Sequence, residues 1–151
     1  MTCFDDGETK ICTSTWPQVG RAVAAILSLP VTSDSGPSLE LYKNKNVFVN
    51  SFAVSQRDML SSILRVTGDE ESEWTIKKVS AHQRVAAAQK AAQQGDRFAY
   101  VHIMYTRIFY KDGNGDFEKL GKLQNAALNL PDEDIDEATA VAIERSKQPL
   151  W

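Results

Sequence analysis

Residues 44–80 read NKNVFVNSFAVSQRDMLSSILRVTGDEESEWTIKKVS, and the changes of pattern inside them decide the fold class. NKNVFVNSF (44–52) is apolar on both faces at its centre, as a strand covered on both sides must be. From Ser55 the period changes. Met59, Leu60, Ile63 and Leu64 recur at helical spacing, with Ser55 placed to cap the start and Gly68 the end. EWTIKKVS (73–80) returns to strand, with Trp74 and Ile76 on one face. Strand, helix and strand of these lengths predict a βαβ unit with a right-handed crossover and parallel strands. The chain is read as α/β.

Toward the N-terminus, CFDDGETKIC (3–12) predicts two short strands around Asp6-Gly7, a hairpin dipeptide. TSTWPQVGRAVAAILSLP (13–30) predicts a helix. Thr15 and Gln18 have capping-box spacing, Pro17 suits the first turn, and Val19, Val23, Ile26 and Leu27 form the expected inner stripe. Toward the C-terminus, residues 80–95 are Ala-rich and helical but weakly amphipathic. DRFAYVHIMYTRIFY (96–110) is apolar nearly all round and is expected to be buried on most sides. A closing helix follows, its acids in the first turn and Arg145 and Lys147 in the last, with Ile135, Ala138 and Ala142 inward.

At 151 residues the chain has the length of one domain, taken as residues 1–151. A composition 42% hydrophobic and 25% charged is that of an ordinary globular protein. The net charge of −3 and the lack of a Lys/Arg run argue against nucleic-acid or membrane partners. The N-terminal residues contain no apolar signal region and no stretch is long enough to span a bilayer, so a cytoplasmic location is expected. Cys3 and Cys12 make no disulfide framework and are expected reduced.

Few residues point to chemistry. YKDGNGDFEKLGK (110–122) starts like a calcium loop, but counting from Asp112 places Phe117 where the glycine belongs and Leu123 where the bidentate Glu belongs. A Gly/Asn/Asp turn is the better reading. His82 is expected to be exposed. His102 shares a helix face with Tyr105 and Phe109, either as a satisfied core histidine or as a substrate-facing acid, base or donor. There is no G-x-S-x-G, no Walker A sequence and no G-x-G-x-x-G after a strand. Two His and two Cys give little basis for a zinc site.

Taken in order, DDGETKICTSTWPQVGRAVAAILSLP, NKNVFVNSFAVSQRDMLSSILRVTG, EWTIKKVS, GDRFAYVHIMYTRIFYKDGNGDFEK and NLPDEDIDEATAVAIE resemble the C-terminal, substrate-side half of NmrA-like, isoflavone-reductase-like proteins of the fungal type. These are atypical short-chain dehydrogenases. The resemblance implies an incomplete NmrA-like fold: a βαβ unit, an N-terminal hairpin and several packed helices, without most of the Rossmann domain. It implies a substrate pocket lined by Phe52, His102, Tyr105, Phe109 and Phe117. His102 would be the orienting donor, and the 110–122 loop would be mobile with Phe117 as an apolar plug.

The family's glycine-rich NADP loop and lysine motif have no counterpart here. No cofactor is expected on this chain alone, although full-length relatives use NADP. A pocket without a cofactor cannot transfer hydride. Three functions are compatible with the resemblance. The first is the substrate half of a reductase of specialised metabolism, truncated or complementing another chain and acting on a small aromatic or polyketide-like molecule. The second is a non-catalytic regulatory or partner-binding module. The third is a non-redox cyclase or isomerase. All three imply a half-fold of marginal stability, covered by a homo-oligomer or by a partner chain replacing the missing Rossmann half.

Overall fold

Two separate strand pairs make up the β part of the molecule. In the computed structural model, which describes residues 1–148, strand β1 (Thr2–Phe4) runs parallel to β4 (Lys77–Val79), with Cys3 opposite Lys78. Strand β2 (Ile11–Thr13) runs antiparallel to β3 (Phe52–Val54), with Cys12 opposite Ala53. The α-helices among the described residues are α1 (Trp16–Leu27), α2 (Leu39–Tyr42), α3 (Gln56–Thr67), α4 (Ala81–Gln93), α5 (Ala99–Arg107) and α6 (Ile135–Ser146). The α/β reading holds, but the pairing of its strands differs from the sequence expectation in two places.

First, the N-terminal strands form without making a hairpin. The chain does turn at Asp5–Gly7, where Gly7 N–H donates to the Phe4 carbonyl at 2.9 Å. The turn residues then bond elsewhere. Asp5 Oδ1 accepts from Ala81 N–H at 3.2 Å, Asp6 takes Lys111, and the Gly7 carbonyl accepts from Arg57 N–H at 3.1 Å. The turn is thereby fastened to α3, to the start of α4 and to the 110–122 loop, and β1 and β2 separate to different partners. Cys3 and Cys12 are accordingly not cross-strand neighbours, and both are free thiols.

Second, β3, α3 and β4 follow in βαβ order, but the parallel partner of β4 is β1, not β3. The outer edge of β1 is closed by a side chain. Gln56 Oε1 accepts from Phe4 N–H at 2.7 Å and its Nε2 donates to the Thr2 carbonyl at 3.1 Å, as a neighbouring strand would. The expected strand 44–52 shrinks for a similar reason. Asn125 clasps Asn50 through Asn50 N–H to Oδ1 (3.1 Å) and Nδ2 to the Asn50 carbonyl (2.7 Å). Upstream, an isolated bridge joins Phe48 to Leu123.

Helices α1 and α3 begin where capping chemistry dictates. Ser55 and Asp58 complete a capping box on α3, and Gly68 ends it in the left-handed region at φ 76°. On α1 half of the expected box forms: Thr15 Oγ1 accepts from Gln18 N–H at 3.1 Å. The other half does not, because the Gln18 side chain turns inward to the Pro131 carbonyl at 2.9 Å, while Thr15 N–H donates to Ser51 Oγ at 2.9 Å.

That inward Gln18 decides which face of α1 is buried. Gln18 and Ala22 are buried, so Val19, Val23 and Leu27 of the expected inner stripe face solvent instead. The α3 stripe behaves as expected, with Leu60 buried and Met59, Ile63 and Leu64 half-buried.

Polar contacts hold the helix pairs. Ser62 and Arg65 on α3 both bond Asp136 on α6, the latter through two bonds of 2.8 and 2.7 Å. Arg84 on α4 donates to buried Thr106 on α5 at 3.1 Å. Ile135 and Ala138 are half-buried on α6, whereas Ala142 is exposed. No described helix is long and apolar enough to cross a membrane.

Candidate functional site

The five residues expected to line a pocket lie in separate places. Helix α5 buries Ala99 and Thr106 and leaves most of its remaining surface in solvent, contrary to the expectation of burial on most sides. His102 is exposed, and Tyr105 beside it is 68% exposed. One turn further on, Phe109 is half-buried against Phe4, with ring centroids 5.5 Å apart. Phe117 is half-buried against Phe48, with centroids at 4.6 Å. Phe52 is half-buried on β3 opposite Thr13. His102 and Tyr105 thus share one open face, and the three phenylalanines pack elsewhere, each with a different partner. His82 is exposed as expected and stacks on Tyr110 at 4.0 Å.

The 110–122 loop is seated rather than free. Lys111 Nζ reaches Asp6 at 2.5 Å, Arg107 pairs with Asp112 at 2.6 Å, and the Gly115 carbonyl accepts from Cys12 N–H at 2.7 Å. A Cβ at Gly115 would lie 2.6 Å from the Ile108 carbonyl oxygen, so the backbone packs against the end of α5 and only glycine fits. Asp112 and Asp116 of the loop bond within the protein. Asp112 accepts from Asn114 N–H and Arg107, which together hold its carboxyl below the ordinary value. Asp116 caps Lys119 N–H at 3.0 Å.

The structure adds a groove that sequence reasoning missed. It lies between the start of α1 and α6, encloses about 650 Å³, and is walled by Trp16, Pro17, Pro131, Ala138, Val141 and Ala142. That volume is in the range of small-molecule sites. None of the five expected residues lines it. Arg145 lies over the Trp16 ring at 4.7 Å, a cation–π contact at its mouth.

Its polar end is Glu133, which takes Thr15 Oγ1 at 2.7 and 3.0 Å and also Ser51 Oγ and Arg21. Burial pushes the Glu133 carboxyl up, but the Ser51 and Thr15 hydroxyls and the Arg21 guanidinium outweigh it and leave the carboxyl below its ordinary value. Engaged by three donors, the Glu133 carboxylate ties the start of α1 and the residue before β3 to the loop before α6. Glu133 reads in sequence as one more helix-dipole acid, and its partner Thr15 lies 118 positions away, so no local signal joins them.

The described residues therefore define an α/β unit with an open α5 face carrying His102 and Tyr105 and a ligand-sized groove between α1 and α6. No group of three or more His, Cys, Asp or Glu side chains among them is arranged to hold a metal. Over 139 residues, 92% of this chain, the sequence is 24% identical to the oxidoreductase aprR of Aspergillus flavus. The chain spans 43% of that relative's length. No family model and no solved structure matches it.

Proposed function

We propose that this chain is the substrate-side half of an NmrA-like, isoflavone-reductase-like, NADP-dependent oxidoreductase of specialised metabolism. The similarity to a fungal oxidoreductase along almost the whole chain carries the reading. Hydride transfer needs a nicotinamide held against the substrate, and dinucleotide phosphates need a glycine-rich turn at a helix N-terminus. Such a turn is absent from these 151 residues, so the reading assigns cofactor binding to residues outside them.

The substrate, a small aromatic or polyketide-like carbonyl compound, would lie on the α5 face. There His102 would donate a hydrogen bond to the carbonyl oxygen and Tyr105 would flank the ring. Phe109 would back that face from its seat on Phe4.

Ligand-observed NMR with a panel of aryl ketones and enones, paired with NADPH fluorescence titration, tests the reading. Saturable aryl-ketone binding that shifts the His102 ring protons and is lost in His102→Ala is expected, with no NADPH response. Absence of any binder at millimolar concentration refutes the substrate side. Saturable NADPH binding refutes the assignment of the cofactor to residues elsewhere.

A second reading, a non-catalytic partner-binding module, draws support from the exposed Phe98, Tyr100, Met104 and Tyr105 on and beside α5, an unusual amount of apolar surface for one short helix. Retention of ketone turnover in a complex with a cofactor-bearing partner would exclude it.

A further inference from the structure

The groove between α1 and α6 combines apolar walls with charge of one sign at one end. We propose that it binds an amphipathic organic cation, an aryl-alkylammonium whose ring lies at the Trp16 end and whose ammonium reaches Asp132 and Glu137. The proposal stands independently of the oxidoreductase reading, which places its carbonyl substrate on α5.

Helices α1 and α6 do not pack along their lengths. They are bridged at both ends instead. Thr15 bonds Glu133, just before α6, whereas Trp16 lies against Arg145 in the last turn of α6. Two consecutive residues thus meet opposite ends of one helix, so the Trp16 side chain runs along the space between. Glu137 and Arg145 stand roughly 12 Å apart along the helix axis. What the bridges leave open is the volume of about 650 Å³. Trp16 is 78% exposed on its α1 side and Val141 56% exposed on its α6 side.

Four acids and two arginines line the groove. Two of the acids are committed. Glu133 pairs with Arg21, and the Asp134 carboxylate accepts from the Asp136 and Glu137 N–H groups. Asp132 and Glu137 are exposed, and no described group bonds either carboxylate. They stand at the start of α6, while Arg145 stands at its end on the indole.

That polarity orients a ligand. An ammonium is drawn to Asp132 and Glu137 and repelled by Arg145. An aryl ring is favoured at the other end, where the indole stacks and the guanidinium makes a cation–π contact. Between the ends, Pro131, Ala138 and Val141 give an alkyl chain an uncharged path. An anion fits less well. The helix-start amides that would attract it are held by Asp134, and the two unengaged carboxylates repel it.

Amide-resolved NMR titration of the whole chain with tryptamine, against neutral tryptophol and anionic indolepropionate, tests the site. Saturable shifts of the Trp16 indole N–H and of the amides from Asp132 to Ala142 are expected with tryptamine. Affinity is expected to fall from amine to alcohol to carboxylate. Asp132→Asn combined with Glu137→Gln, both at exposed positions, is expected to weaken tryptamine about tenfold and to leave tryptophol unchanged. The amine–alcohol comparison on the wild type decides the matter even if that variant fails to fold. No saturable shift at millimolar tryptamine, equal affinity for tryptamine and tryptophol, or shifts confined to α5 overturn the proposal. Trp16 shifts that follow protein concentration instead of the amine would assign the groove to a second copy and overturn it as well.

Discussion

Replacing Gly115 with alanine tests whether the 110–122 loop is part of the packed structure. The new Cβ would stand 2.6 Å from the Ile108 carbonyl oxygen and 2.9 Å from Ile11 Cγ2. Neither neighbour yields easily: the first is backbone at the end of α5, and Ile11 is 4% exposed on β2. The loop must back away, which strains the 2.7 Å bond from Cys12 N–H to the Gly115 carbonyl. Forcing a methyl into a packed site costs about 1–3 kcal/mol. For a chain of this length that lowers Tm by about 3–10 °C. Gly113→Ala is the control. Its φ of 75° makes alanine strained, but nothing lies within 4 Å, so about 1 kcal/mol of backbone cost is expected and no clash. Urea unfolding of both variants, with hydrogen exchange at the Cys12 amide, separates the two effects. If Gly115→Ala unfolds like wild type with Cys12 equally protected, the loop is not seated as described.

Thr15→Ala removes the α1 N-cap and two bonds to Glu133; a loss of about 1–2 kcal/mol in urea unfolding is expected, largely restored by Thr15→Ser. Gln56→Ala leaves Phe4 N–H and the Thr2 carbonyl without their partner. It is expected to cost about 1–3 kcal/mol and to expose the β1 amides to exchange. The Asp136 carboxyl is lowered from 3.8 to about 2 by its bonds with Arg65 and then Ser62. Because the folded value is the depressed one, the stabilisation from this group is complete above the ordinary value and is lost as pH falls through the folded one. Asp136→Asn should therefore flatten the acid limb of the urea midpoint, and an unchanged limb would show that the α3–α6 bond carries no acid sensitivity.

Local signals in the sequence determined the elements and their ends. Thr15, Ser55 and Gly68 stop and start helices because the backbone groups they satisfy are only a few residues away. Hydrophobic period separated α3 from its flanking strands, and the α/β class followed. Only tertiary structure decided which strands pair, because side chains stand in for strands there. Gln56 closes the edge of β1, Asn125 clasps Asn50, and the Asp5–Gly7 turn is bonded to α3, α4 and Lys111.

The same holds for α1. Its apolar positions cover more than one face, and a single buried amide, Gln18 on the Pro131 carbonyl, turned the Val19–Val23–Leu27 stripe outward. The α1–α6 groove has the same origin, since Glu133 joins Thr15, Ser51 and Arg21 across distances that no periodicity encodes. The cost of leaving a buried polar group unpaired falls on whichever partner the fold brings near, and that partner has no fixed offset in the chain.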